Sequence, residues 1–320
     1  MREAAFIRQN KTKWNQYQTE VSTDPDVLAE RFIALTDDLS FARTFYPESD
    51  ITQYLNNLTG QVHQAIYKNK KEKKNRFAGF WKTELPGLIY QHHRQLFYAF
   101  LIFALACGIG ALSAAYDDTF VRLILGDSYV NKTISNIQQG DPMAIYKSQG
   151  ETLMFLGITL NNIHVSFLAF IAGAFFSVGT CWILLTNGIM VGAFHYFFYK
   201  YGLLLNAVLS IWIHGTLELS AVVLAGCAGF VMGNSLLFPK TYSRLVSFRK
   251  GARDGLKIVV GLVPVFVVAG FLEGFVTRHT EMPLYLSICI IGSSAFFICF
   301  YFIYYPIYLS SRKPHGQSKH

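Results

Sequence analysis

Residues 206–238, NAVLSIWIHGTLELSAVVLAGCAGFVMGNSLLF, form an apolar run well beyond the ~18–20 residues that a helix needs to cross a bilayer. Such a run would be insoluble on the surface of a globular protein, so it decides the fold class: a helix inside a membrane. Its acidic and basic side chains are His214 and Glu218 alone. Their i, i+4 spacing sets imidazole and carboxylate on one helix face, where they can hydrogen-bond or share a ligand. An ionisable group in mid-membrane costs ~2.5–3.5 kcal/mol or more, so it is normally paired and turned toward protein or a water-filled cavity.

Five further apolar runs flank this one, at about 95–116, 153–180, 184–200, 257–276 and 283–308. The expected fold is therefore all-α, a polytopic membrane helix bundle of about six spans. The composition agrees: 52% of the 320 residues are hydrophobic and only 15% are charged, and the 28 Phe and 18 Tyr suit lipid-facing helices and headgroup-level rings. The third run is short and its entry, Leu184-Leu185-Thr186-Asn187-Gly188, carries no charge. Spans two and three thus read either as a tight hairpin or as a partly re-entrant pair. The five cysteines lie within apolar runs without a Cys-x-x-Cys spacing, which reads as reduced, buried packing residues.

The net charge of +8 follows the positive-inside pattern rather than a nucleic-acid footprint, so no nucleic acid is expected as a partner; the bilayer itself is. Residues 239–257 carry Lys240, Arg244, Arg249, Lys250, Arg253 and Lys257 against Asp254, and the tail carries Arg312, Lys313 and Lys319. The stretch 117–152 is acidic, with Asp117, Asp118, Asp127, Asp141 and Glu151 against Arg122, Lys132 and Lys147. The reading puts both termini in the cytoplasm and 117–152 outside, where 120–125 and 142–146 suit interfacial helices.

Before the spans, residues 1–94 read as a cytoplasmic helical hairpin plus a juxtamembrane segment, and 309–320 as a basic cytoplasmic tail, with the membrane domain at 95–308. One helix starts at Ser22-Thr23-Asp24-Pro25 and carries Val27, Leu28, Phe32, Leu35 and Leu39; Pro47 should end it. The second carries Ile51, Tyr54, Leu55, Leu58, Val62 and Ile66 on one stripe. The basic run Lys68–Arg76 followed by Phe77, Phe80, Trp81 and Leu85 has the composition of a segment lying on an anionic lipid surface.

Counting in from the span ends places Glu273, Asn161 and Asn162 near the depth of His214 and Glu218, a buried polar cluster in the outer half of the membrane. Asn187 lies toward the inner side and is secondary. Three readings of the cluster compete: a hydrogen-bonded core fixing helix register, a proton, ion or substrate pathway, and a metal-dependent hydrolase. The last lacks His-Glu-x-x-His and would need His164 or His195 to approach from other helices. Accordingly, no catalytic residue, metal ligand or cofactor is assigned. Ala221, Ala225, Gly229 and Gly233 recur every four residues, as do Gly188 and Gly192, permitting close helix contact within the chain or in a homodimer.

At these residues the chain resembles the stage II sporulation protein M family. The similar segments are Leu160-Asn161-Asn162, Thr186-Asn187-Gly188 with Gly192, Ile213-His214-Gly215-Thr216-Leu217-Glu218-Leu219-Ser220-Ala221 and Phe271-Leu272-Glu273-Gly274-Phe275-Val276-Thr277. The resemblance implies a bacterial cytoplasmic (inner) membrane protein acting as a non-enzymatic scaffold that recruits envelope (peptidoglycan-remodelling) or cytoplasmic partner proteins. A transporter or proton/ion relay is the alternative, and an intramembrane metal-dependent hydrolase the third reading.

Overall fold

The computed structural model describes residues 2–20, 22, 24–68, 76–144, 150–277 and 282–312, which form helices and connecting turns without a strand. They belong to two compact units, Met1–Arg76 and Phe77–His320. The first comprises α1 (Glu3–Thr19), α2 (Pro25–Phe45) and α3 (Asp50–Lys68). The expected hairpin is α2 and α3; α1 is an addition. Its Phe6 and Trp14 enter a core with Leu35, Leu39, Ala42, Leu55 and Leu58. Trp14 Nε1 donates to Asp38 Oδ2 at 2.7 Å, and Lys13 pairs with the same oxygen at 2.6 Å. Two buried aromatics in an otherwise polar helix leave too sparse a stripe for the pattern to register. At the start of α2, Asp24 accepts from the Asp26 N–H at 3.0 Å, an N-cap beside a first-turn proline.

The second unit runs through α4 (Arg76–Gly79), a π-turn (Phe80–Glu84), α5 (Leu85–Gln91), α6 (His93–Tyr116), α7 (Asp118–Leu125) and α8 (Asp127–Gln138). It continues through α9 (Glu151–Ile171), α10 (Val178–Lys200), α11 (Leu204–Leu237), α12 (Arg244–Phe271) with a π-turn at Leu272–Thr277, α13 (Leu284–Cys299), a π-turn at Phe300–Tyr304, and α14 (Tyr305–Ser311). Among the described residues six helices are long and apolar enough to cross a membrane: His93–Tyr116, Glu151–Ala174, Val178–Lys200, Leu204–Leu237, Arg244–Thr277 and Leu284–Ser311. The fourth, α11, is the hub, with buried side chains along most of its length.

Spans two and three are a tight hairpin of full-length helices. The reversal lies at Phe175–Ser177, where Phe176 (φ 53°) and Ser177 (φ 69°) take left-handed backbone, and the third span begins at Val178 instead of 184. Thr186-Asn187-Gly188 consequently sits inside α10. The fifth helix likewise begins at Arg244, so the basic stretch before 257 is helical.

The aromatic juxtamembrane segment belongs to the membrane unit, which moves the expected boundary from 94 to 76. Trp81 Nε1 donates to the Gly261 carbonyl at 3.4 Å, Tyr301 and Tyr305 donate to the Trp81 and Lys82 carbonyls at 2.6 and 3.0 Å, and Lys257 pairs with Glu84 at 2.5 Å. Leu85, Leu88 and Ile89 are buried, Leu85 lying where a Cβ on Gly261 would stand. The Leu85 end of this segment packs into the bundle, whereas Phe77 is exposed. The basic run at 69–75, residues 145 and 146 of the interfacial stretch, Arg278, and Lys313 and Lys319 of the tail lie outside the described residues.

At one end of the bundle, α7 and α8 pack Val121 and Val130 with Ala193, Phe197 and Ala207. Asp117 caps α7 through the Thr119 N–H (2.8 Å) and hydroxyl (2.7 Å), bonds that hold its carboxyl below the usual range. Of the cysteines, Cys227 is buried, but Cys289 and Cys299 are exposed, correcting the reading of all five as buried.

Candidate functional site

His214 and Glu218 stand one turn apart on α11, and the end of the fifth span faces them. His214 Nε2 is 3.6 Å from Glu273 Oε2, with the two side chains 5% and 13% exposed. One ligating atom from each of His214, Glu218 and Glu273 lies within 4.8 Å of the others. The other ring nitrogen, Nδ1, is 3.0 Å from Thr277 Oγ1, and that hydroxyl donates to the Leu272 carbonyl at 3.2 Å. The Thr277 hydroxyl thus orients the imidazole ring, with Nε2 facing Glu273. The Leu272 to Thr277 bond lies in the π-turn that carries Glu273, so the widened helix end positions both the carboxylate and the hydroxyl that orients the imidazole.

Span two closes the third side. Asn162 is 6% exposed and its amide lies beside Glu218, without a hydrogen bond of ordinary geometry to its Nδ2. Thr159 and Ser166, which share its helix face at i−3 and i+4, are also buried with unpartnered hydroxyls. The fifth span admits this helix through glycines: a Cβ on Gly270 would strike Thr159 Oγ1, and one on Gly274 would meet the Phe155 backbone nitrogen at 3.1 Å.

The residues singled out in the sequence fare differently. His214, Glu218, Glu273 and Asn162 are brought together. Asn161 is not: it is exposed, because the next residue on a helix points ~100° away. Asn187 donates to the Ile183 carbonyl of its own helix at 2.8 Å, and His164 is exposed. His195 accepts from Trp212 Nε1 at 2.9 Å and donates from Nδ1 to the Val191 carbonyl at 2.8 Å; it is outside the three-residue group. Thr277 and Thr159 join the site without a mark of their own in the sequence, Thr277 four residues after Glu273 and Thr159 three before Asn162.

The small-residue faces are used inside the chain. Gly188 and Gly192 lie against Ala106, Phe103 and Cys107 of the first span, while Gly229 and Gly233 lie against Ala169, Gly173, Ser177 and Thr180 around the span-two to span-three turn. Ala221 and Ala225, on α11, are fully buried.

A second feature is a groove of about 920 Å³ between the first and last spans, with α11 as its floor. It extends along Tyr90 to Ala111 on the first side, ~30 Å of helix, and along Ile298 to Ile307 on the other. Thr216 and Ser220 on the floor bond to carbonyls of their own helix (both 2.7 Å), which leaves an apolar surface. Two glycines line it: Gly108 is exposed and a Cβ on it would meet nothing within 4 Å, while Gly215 is buried in the floor, where a Cβ would meet only Ile211 of its own helix.

Six membrane-length helices, one of them a small-residue hub that carries ionisable groups, define a multi-pass α-helical membrane protein. The family model for stage II sporulation protein M matches residues 99–278, more than half of the chain, and the chain belongs to that family. The match spans every residue of the cluster through Thr277. A second family model, a domain of unknown function (DUF8413), matches residues 4–68, the three-helix unit. No curated protein and no solved structure matches the chain.

Proposed function

We propose that this protein is a non-enzymatic scaffold of the bacterial cytoplasmic membrane, with both termini in the cytoplasm, which holds the transmembrane helix of an envelope or cytoplasmic partner protein against its fourth span. The groove over Gly108 and Gly215 carries this reading. Small residues in a membrane helix let a neighbouring backbone approach closely. Gly110, Gly188 and Gly192 are already spent on contacts within the chain, whereas Gly108 and Gly215 are not. A helix rather than a lipid tail is the occupant that gains from such a surface, since lipid packs as well against leucine.

The test is a photo-crosslinking side chain placed at Gly108, in the native membrane, with Leu105 as the control on the lipid-facing side of the same helix. A discrete protein adduct from position 108, absent from 105 and competed away by Gly215→Leu, is the expected result. Lipid adducts alone at both positions would sink the reading. A proton or ion relay is the second reading, favoured by the close approach of His214, Glu218 and Glu273. It requires Glu218→Gln to abolish ion flux in proteoliposomes, and unchanged flux excludes it.

A further inference from the structure

We propose that His214, Glu218 and Glu273 together bind one divalent first-row transition-metal ion, tying the fourth span to the end of the fifth. The inference is independent of the groove and its partner. Each residue contributes one donor atom, and the three lie within 4.8 Å of one another, His214 Nε2 and Glu273 Oε2 already at 3.6 Å. An ion bonded at ~2.0–2.2 Å to three such atoms holds them roughly 3–4 Å apart, so small side-chain rotations complete the site.

Charge points the same way. Ligation requires a neutral imidazole and ionised carboxylates, and a divalent cation brings those two negative charges to neutrality where isolated charge is expensive. Among the described residues the lysines and arginines form their ion pairs elsewhere, none with either glutamate. The imidazole is also placed as a metal ligand would be. Thr277 Oγ1 stands 3.0 Å from Nδ1 while Nε2 faces Glu273, so with Nε2 on the ion the Nδ1–H would donate to Thr277, the outer-shell arrangement that fixes metal-binding histidines.

An independent observation comes from span two. The Asn162 amide, more than nine-tenths buried, stands beside Glu218 with its Nδ2 unpartnered. A buried amide without a partner is costly, and a water or hydroxide completing the coordination of a bound ion would accept from it. One nitrogen and two oxygens, with room for a solvent ligand, suit Zn2+, Mn2+ or Fe2+; imidazole argues against Mg2+ and Ca2+.

The experiment uses the full chain in detergent micelles with any affinity tag removed, stripped by a chelator and then titrated with Zn2+, with Mg2+ as control. Saturable binding of about one Zn2+ per chain is expected, with a rise in Tm that Mg2+ does not reproduce. Glu273→Gln and Glu218→Gln, which keep size and hydrogen bonding, should each weaken Zn2+ binding more than ~10-fold, and Thr277→Val by ~10–100-fold through the imidazole it orients. Gly108→Leu should bind as the wild type does. A stripped, monodisperse wild-type protein with no saturable site overturns the proposal, as does equal Zn2+ binding by a folded Glu218→Gln/Glu273→Gln double variant. If the glutamine variants do not fold, Thr277→Val and the wild-type titration decide: a Tm rise saturating at one ion per chain and weakened by Thr277→Val supports the site, and its absence overturns it.

Discussion

The fourth and sixth spans are both apolar, yet 83% of the membrane-length stretch of one is buried and only 17% of the other. The sixth is rich in large side chains that face outward, with Phe296, Phe300 and Tyr304 stacked at 5.7 Å centroid spacing and each exposed. The fourth alternates Gly, Ala and Ser with its two ionisable groups. In water the most apolar surface goes inside. In lipid that preference vanishes, and closeness of approach and polar partners decide which helix becomes the hub.

The sharpest way to break this contrast is to add the same bulk to both helices. Gly229→Leu would drive a side chain into the Ala169 carbonyl and Thr180, whereas a Cβ at Gly292 in the sixth span meets nothing within 4 Å. Overpacking against backbone costs ~1–3 kcal/mol or more, so Gly229→Leu should lose the monodisperse peak in size-exclusion chromatography and Gly292→Leu should keep it. Equal tolerance would mean that α11 is not the packing centre.

Next in size is His214→Ala. It removes one of the two hydrogen-bond contacts of the Thr277 hydroxyl, opens a cavity and leaves two carboxylates facing each other, so thermal unfolding in micelles should show a loss of ~1–3 kcal/mol. A comparable loss from an exposed peripheral change such as Leu105→Ala would erase the distinction between hub and rim. Gly108→Leu should move stability little, because space is open there, while abolishing the partner adduct from a crosslinker placed at Ala104, one turn away on the same groove wall. Loss of folding in that variant would show the groove to be closed in the membrane.

Much of this was legible beforehand. Apolar runs bounded by charge located the spans, and intramembrane charge led to His214, Glu218 and Glu273. What was not legible depends on three-dimensional phase. The span-two turn passes through Phe175 and Phe176, which hydropathy counts as membrane, and its reversal rests on left-handed backbone at Phe176 and Ser177 that neither residue type favours. Gly108 and Gly110 lie two positions apart in one helix, yet Gly110 packs on the Ile189 backbone and Gly108 faces the groove. Which is which follows from the position of α10, and local sequence carries no mark of it.

The smallest effect separates two adjacent, chemically identical residues. Asn161 and Asn162 occupy the same depth, one exposed and the other 6% exposed beside Glu218. Asn161→Leu replaces an amide on the outer face with an apolar group and should leave Tm unchanged or slightly raised. Asn162→Leu keeps the branched shape, adds bulk at a buried position and removes the amide next to Glu218, so its consequence should fall on the cluster: weaker Zn2+ binding than in Asn161→Leu. Identical behaviour of the two variants in the Zn2+ titration would mean that span two is only a neighbour of the cluster. A difference confined to Asn162 would make it the third wall of the site.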